Sequence, residues 1–322
     1  MKMKINSNPT ECTLYMTDVC NFSCFGCSRQ TVGKPKHKEV DLEVIKKLLV
    51  EYPLIKNFCI AGLGEPTISK NFSEVVDYLL DNNKYVGIIT NGTYPERLIQ
   101  LRNKPGYISI SLYGTSDNEY KQYTKVAAFN EIIENFFLLK KHFENVGFSY
   151  ILNKDNYKTL DSILELCDKL KPNFLNLVNY LSCDSYESIN THKIICLDDT
   201  EIVQYIEQRC KSRNYINAHP VYLDKSNKNY NCASYENVIN VDGQGNIGGC
   251  QRQVTPNISY GNLFLEKDPY NNVQMQMLRK RINSGVNPHY NCESCFGRFN
   301  PLEIRSKIDR KSTRLNSSHG II

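Results

Sequence analysis

The sequence predicts an α/β fold, in which a partial (β/α)6 barrel is followed by a small C-terminal α+β extension. Short apolar runs alternate with amphipathic stretches up to about residue 213, which indicates βαβ units and a parallel sheet. Conspicuous polar and glycine-rich turns follow several of these runs, at the strand ends where α/β barrels place their ligand sites. From Tyr215 the rhythm changes to short strands and a glycine-rich hairpin, which marks a second unit.

The predicted elements follow one another in a regular order. Six strands are predicted, at 12–16, 57–62, 85–90, 107–112, 147–152 and 173–178. Helices are predicted directly after Asp41, which is suited to cap one, and near 71–83, 94–103, 128–145, 157–171 and 198–213. The extension contains a hairpin within 236–250 and a helix at about 273–284. These elements divide the chain into a barrel domain at 1–214 and an extension at 215–308.

Composition excludes several classes of protein. The 322 residues are 41% hydrophobic and 23% charged, which is typical of a globular chain. A net charge of +5 is too small to indicate nucleic-acid binding. No apolar run approaches the roughly 20 residues that span a bilayer, and the N-terminus lacks the apolar segment of a secretory signal. We therefore expect a cytoplasmic protein with no membrane or nucleic-acid partner.

The last residues differ in character from the rest of the chain. The segment 309–319 reads DRKSTRLNSSH, which resembles the translation of a sequencing adapter. We interpret 309–322 as a non-native tail and expect the native C-terminus to be missing.

Thirteen cysteines in a reducing compartment indicate metal binding or catalysis rather than disulfides. Three of them, Cys20, Cys24 and Cys27, have the spacing C-x3-C-x2-C directly after the first strand. Three thiolates in such a loop bind three irons of a cubane cluster and leave the fourth iron open. The alternative is a zinc knuckle, but structural zinc normally takes four protein ligands.

Further motifs at the strand ends extend the pattern. The chain from Cys12 to Val178 resembles the radical S-adenosylmethionine (SAM) superfamily in motif order and spacing. The resemblance rests on the three cysteines, on GLGEP at 62–66 (similar to GGEP), TNGT at 90–93 (TNG), ISISLYG at 108–114 (ISLDG) and NKDN at 153–156.

The resemblance implies a specific chemistry and a set of partners. In this family SAM binds the open iron, and one-electron reduction cleaves it to methionine and a 5′-deoxyadenosyl radical. An external reductant of the flavodoxin or ferredoxin type supplies the electron. The residues carried over as SAM contacts are Gly62, Gly64, Glu65, Asn91, Ser109 and Ser111.

Two positions depart from the family pattern. The residue before the third cysteine is often aromatic and packs near adenine, but here it is Gly26. Phe22 and Phe25 are the candidates to replace it. Tyr113 stands where the ISLDG pattern has aspartate.

A second group of cysteines lies in the extension. Cys232 and Cys250 flank the hairpin, and Cys292 and Cys295 form a CxxC pair. Their spacing leaves structural zinc and an iron–sulfur cluster equally open. The arrangement is similar to the twitch unit, the shortened relative of the SPASM domain. This resemblance implies one auxiliary [4Fe–4S] cluster. A full SPASM domain has two further cysteines, whose positions are held here by Pro301 and Arg305.

The leading hypothesis is a radical SAM enzyme whose auxiliary cluster accepts an electron from the substrate. That pairing suits oxidation of a small sugar or aminocyclitol alcohol, or modification of a peptide. About eleven residues precede the first strand, which disfavours a peptide-recognition domain in cis. The alternative is a non-catalytic metal-binding or electron-transfer protein, which would have no use for the strand-end motifs.

Overall fold

The computed structural model describes residues 4–27, 29, 38–180, 191–224, 232, 234–250 and 259–286. The predicted ligands Cys292 and Cys295 and the predicted tail at 309–322 lie outside the described residues. Among the described residues, no helix has both the length and the apolar character needed to cross a bilayer.

One ten-stranded sheet organises the fold, in the order β10-β9-β8-β1-β2-β3-β4-β5-β6-β7. The strands are β1 Glu11–Tyr15, β2 Asn57–Ala61, β3 Tyr85–Thr90, β4 Tyr107–Leu112, β5 Val146–Leu152, β6 Leu175–Asn179, β7 Ile216–Ala218, β8 Val238–Asp242, β9 Asn246–Gly248 and β10 Gly261–Asn262. All pairings from β8 through β1 to β7 are parallel, and the two outer pairings at the β10 end are antiparallel. The sheet does not close, so the prediction of a partial α/β barrel is confirmed.

The helices of the described residues lie between successive strands, except for the last one, which follows β10. They are α1 Leu42–Glu51, α2 Phe72–Asp81, α3 Pro95–Ile99, α4 Asp117–Thr124, α5 Phe129–His142, α6 Leu160–Leu170, α7 Thr200–Cys210, α8 Ser234–Asn237 and α9 Val273–Asn283. Asp41 caps α1 as predicted, and its side chain accepts hydrogen bonds from the amides of Glu43 and Val44. Helix α4 was not predicted, because its mean hydropathy is low and its apolar face is short.

Successive side chains along each strand point alternately to the helix-covered face of the sheet and to the barrel interior. Leu14, Ile60 and Ile88 are register partners in one row, and all three are fully buried. The neighbouring residues Tyr15 and Ala61 point the other way and line an interior cavity. Aliphatic side chains therefore anchor the helices, while the opposite face is free to build a site.

The extension continues the same sheet. β8 pairs in parallel with β1 over its whole length, from Glu11 opposite Val238 to Tyr15 opposite Asp242. At the other edge, β7 pairs with β6. The predicted change of rhythm at 215 is thus a change in connectivity within one continuous sheet, and the domain boundary at 214 stays a prediction.

Candidate metal centre

A cavity of about 290 Å³ lies at the carboxyl ends of the barrel strands. The sequence-predicted residues that line it are Cys20, Cys24, Cys27, Gly62, Gly64, Glu65, Asn91 and Ser111. The parallel sheet brings them together, because the ends of β1 to β4 meet at one edge. Residues at the same edge that sequence reasoning did not single out as contacts include Tyr123 and Tyr180.

The loop that carries the three cysteines is anchored by backbone hydrogen bonds to the end of α4. The amide of Ser23 donates to the carbonyl of Thr124 at 3.1 Å, and that of Phe25 donates to Tyr123 at 2.8 Å. Helix α4 therefore holds the middle of the cysteine loop in place.

A second anchor joins the cysteine loop to the turn after β3. The Asn91 side-chain amide donates to Asn21 Oδ1 at 2.7 Å, and Asn21 Nδ2 donates to Thr93 Oγ1 at 3.0 Å. Asn91 Oδ1 also accepts from the amide and hydroxyl of Thr93. The TNG-like turn thus fixes the residue directly after Cys20.

The turn after β2 packs directly on the backbone that leads into Cys20. The amide of Gly64 donates to the carbonyl of Thr17 at 3.0 Å, and the amide of Glu65 donates to Val19 at 2.8 Å. A Cβ atom on residue 64 would lie 2.2 Å from the Val19 oxygen. Glycine is required here because two backbones approach too closely for any side chain.

The Glu65 carboxylate joins the two strand-end turns. It accepts hydrogen bonds from the amide and hydroxyl of Thr67, from the Thr90 hydroxyl at 2.7 Å and from the Asn91 amide at 2.6 Å. Burial raises the pKa of this carboxyl, and the four hydrogen bonds oppose the rise because they stabilise the ionised form. The structure therefore gives Glu65 a positioning role between the turns after β2 and β3.

The serines of β4 occupy two depths of the barrel. Ser111 lines the cavity, whereas Ser109 lies two residues deeper, is fully buried and forms a 2.7 Å hydrogen bond with Ser149. Tyr113, in place of the family's aspartate, stacks on Tyr123 with 5.1 Å between ring centroids. An aromatic cluster thus stands where the pattern has a carboxylate.

The electrostatics of the three thiols fit a metal cluster. Burial, together with repulsion from the neighbouring Cys27 and Cys20, raises the pKa of Cys24 to about 12. Burial also raises the pKa of Cys20. None of the three is in a disulfide. Bound iron would reverse this balance, since a cation stabilises the thiolates. The donor set and the adjoining cavity therefore fit a three-cysteine iron–sulfur cluster.

Two of the four predicted auxiliary ligands lie in the described part of the chain. Cys232 and Cys250 are half-buried, free of disulfides and packed against the hydrophobic core. Cys250 follows the β8–β9 hairpin, whose turn at Gly245 has a φ of +74°. The structure thus places Cys250 at the end of this hairpin, and the assignment of all four cysteines to one cluster stays a prediction.

Another group of potential metal ligands comprises Cys196, Asp198 and Asp199, whose ligand atoms lie within 4.8 Å of one another. Asp199 already binds the Lys154 ammonium at 2.6 Å and the Cys196 amide at 2.7 Å. The Cys196 thiol donates to the carbonyl of Ile194. These contacts indicate a structural network before α7.

Comparison with known proteins agrees with this site. Residues 14–167 match the family model described as "Radical SAM superfamily". These residues thus carry a radical SAM domain, the domain of a superfamily that uses a [4Fe–4S] cluster and SAM.

Two of the sequence relatives carry the same name. A "Probable GTP 3′,8-cyclase" of Sulfurisphaera tokodaii is 23% identical over 252 residues, which cover 73% of this chain and 79% of that protein. A protein of the same name from Saccharolobus islandicus is 28% identical over 177 residues, which cover 51% of this chain and 54% of that protein.

Solved structures share the fold at low identity. SuiB of Streptococcus suis, bound to the precursor peptide SuiA, has a TM-score of 0.68 at 16% identity, covering 90% of this chain and 70% of that chain. The structure of native anSMEcpe with bound AdoMet has a TM-score of 0.65 at 14% identity, covering 89% of this chain and 87% of that chain. At these identities the likeness shows the fold alone.

Proposed function

We propose that this protein is a radical SAM oxidoreductase or maturase, which abstracts a hydrogen atom from its substrate and passes the remaining electron to an auxiliary cluster. The observation that carries the proposal is the shared cavity. Three cysteines and the turns after β2 and β3 line one cavity at the strand ends. A purely structural metal site needs no such cavity.

When bound and reduced, the core cluster supplies one electron to SAM, which yields methionine and the 5′-deoxyadenosyl radical. The chain itself holds the reactants. The Gly62–Pro66 turn lines the cavity, and Glu65 fixes that turn against the one at Asn91. The surrounding aromatic side chains exclude water from a radical that would otherwise react with solvent components.

The proposed auxiliary cluster uses Cys232, Cys250, Cys292 and Cys295. Its support is the pairing of β8 with β1, which fixes the hairpin before Cys250 to the strand that leads into Cys20. Held by these cysteines, the cluster would accept the one electron that remains on a substrate alcohol after hydrogen-atom abstraction, and loss of the hydroxyl proton would leave a carbonyl. A cluster with four cysteine ligands takes part by outer-sphere electron transfer.

The proposed substrate is a small sugar or aminocyclitol alcohol, or a peptide. A peptide is supported by the fold shared with SuiB, which was solved with its precursor peptide. A second candidate reaction is GTP cyclisation, because relatives named for it cover up to 73% of this chain.

The test is anaerobic turnover with dithionite as reductant and with GTP, candidate aminocyclitols and peptides encoded near the gene supplied separately. The expected result is 5′-deoxyadenosine formed in step with product, and deuterium transfer into it from a substrate labelled at the reacting carbon. A protein that releases no 5′-deoxyadenosine with any reductant would instead be an electron-transfer or metal-binding module.

A further inference from the structure

Gly26 of the cysteine loop lies next to one tyrosine of the cavity, Tyr180. Gly26 has a φ of +71°, a conformation that residues with side chains rarely adopt. A Cβ atom on residue 26 would lie 3.1 Å from the Tyr180 hydroxyl oxygen and 3.3 Å from Cε2 of its ring. The ring of Tyr180 thus occupies the space into which a side chain at position 26 would extend.

The other aromatic residues of the cysteine loop are already engaged. Phe22 is only 3% exposed and packs edge-on against Tyr113, with 6.2 Å between ring centroids. Phe25 is 44% exposed, and the Lys193 ammonium lies 4.8 Å from its ring centroid. The three atoms nearest to a Cβ at position 26, apart from those of the adjoining residues, all belong to Tyr180.

Tyr180 is held firmly where the cavity meets the cysteine loop. It follows the last residue of β6, and its amide donates to the carbonyl of Leu152 at 2.7 Å. Its side chain is 5% exposed and lines the same cavity as Cys24 and Cys27. A rigid ring in this place offers a flat surface at low cost in conformational entropy.

We propose that Tyr180 supplies the aromatic surface against which the adenine of SAM packs, from the end of β6 rather than from the cysteine loop. Adenine is a flat ring, and stacking on an aromatic side chain stabilises such a ring strongly. The glycine at position 26 leaves room for this ring, because the side chain of any larger residue would meet Tyr180. The inference rests on SAM as the cofactor and not on any particular substrate.

The test measures ligand affinity in anaerobically reconstituted protein with the core cluster oxidised, so that no turnover occurs. Titrations of SAM, 5′-deoxyadenosine and L-methionine are compared in the parent, Tyr180→Phe, Tyr180→Leu and Tyr180→Ala. Phe25→Ala is the matched control, since it removes another aromatic ring of the same cavity. Iron content and the absorption spectrum of the cluster establish that each protein is loaded.

We expect Tyr180→Phe to bind SAM like the parent, and Tyr180→Leu to bind SAM and 5′-deoxyadenosine on the order of 10- to 100-fold more weakly. Methionine affinity should stay unchanged, because that part of SAM does not contain the adenine. Phe25→Ala should change SAM affinity by less than about threefold.

Because leucine keeps most of the buried volume, Tyr180→Leu tests the role of the aromatic ring in SAM binding even if Tyr180→Ala fails to fold. A loaded Tyr180→Leu protein with parental SAM affinity overturns the inference alone, and so does an equal loss of methionine and 5′-deoxyadenosine binding. A loaded parent protein that does not bind SAM overturns the cofactor assignment and this inference together.

Discussion

At the scale of single residues, the candidate site depends on side chains that position the cysteine loop as much as on the cysteines. Gly64 permits two backbones to touch, and Glu65 and Asn91 bind neighbouring turns. The sequence predicted these residues as SAM contacts through a resemblance. It did not predict their bonding partners, because Thr17 and Val19 belong to no recognised motif and Asn21 is an unspecified position of the cysteine motif. Tyr180 was missed for the same reason, although its place directly after a strand is the signal that would have indicated it.

Replacing Gly64 with alanine should displace the backbone before Cys20, because the new methyl group would lie 2.2 Å from the Val19 oxygen. We expect most of the core-cluster iron to be lost, together with about 1–3 kcal/mol of stability from overpacking. Iron analysis and chemical denaturation measure the two effects. Gly285→Ala is the control for glycine replacement itself: its φ is +71°, so alanine is strained there, but no atom lies within 4 Å of the added Cβ. Equal iron loss in both variants would contradict the account.

At the scale of elements, the structure shows which parts the sequence pattern predicts well. The six barrel strands and the capped helix α1 follow from apolar periodicity and from Asp41. Helix α4 and the pairing of β8 with β1 do not. A polar eight-residue helix has little periodic signal, and strand order between distant segments depends on tertiary contacts that no local pattern contains.

Arg279 connects α9 by hydrogen bonds to the rest of the extension and to the N-terminal segment. It is fully buried, and its guanidinium donates to the carbonyls of Tyr235, Tyr270 and Ile5 and to Asn271 Oδ1. Arg279→Leu should cost about 3 kcal/mol or more, because four acceptors, two of them in fully buried hydrogen bonds, lose their donor. Lys280→Leu, on the exposed side of the same helix, should change stability by less than about 0.5 kcal/mol. Denaturation midpoints that move equally in the two variants would refute this role.

Two carboxylates hold α7 and the segment after it on α6, and they give a pH-dependent prediction. Hydrogen bonds from Arg209 and Tyr205 lower the pKa of Asp161, and those from Tyr215 and Arg213 lower the pKa of Asp168. A lowered folded-state pKa adds stability above the unfolded value, and that stability is lost as the pH falls through the folded-state pKa. Because both groups are largely exposed, we expect each to contribute under about 1 kcal/mol.

The double variant Asp161→Asn/Asp168→Asn should therefore be less stable than the parent at pH 7, and the difference should shrink as the pH is lowered below about 4. Urea titrations at several pH values measure it. A difference that is constant or grows toward acid pH would contradict the assignment of these two pKa shifts.

At the scale of the whole molecule, the sequence predicted the fold class from the alternation of apolar runs with amphipathic stretches, and the class of chemistry from the motifs at the strand ends. It did not predict that the extension joins the barrel's own sheet at β1. Because the sheet is continuous, the strands next to the two proposed clusters belong to one sheet. The two clusters would nevertheless use different cysteines as ligands.

The two clusters should therefore be separable in function. Replacing Cys292 and Cys295 with alanine should preserve reductive cleavage of SAM and block product formation on the true substrate. The comparison is 5′-deoxyadenosine against product, in the variant and the parent under the same reductant. Normal product formation by the variant would show that the auxiliary cluster does not accept the electron.

The central claim is that Cys20, Cys24 and Cys27 hold the cluster that cleaves SAM. Its most direct test is the iron content and 5′-deoxyadenosine yield of anaerobically reconstituted protein, compared with the variant in which these three cysteines are alanine. We predict about eight irons per chain in the parent, since each cubane cluster contains four, and about four in the variant with no 5′-deoxyadenosine formed. A variant that loses no iron, or that still cleaves SAM, would contradict the account.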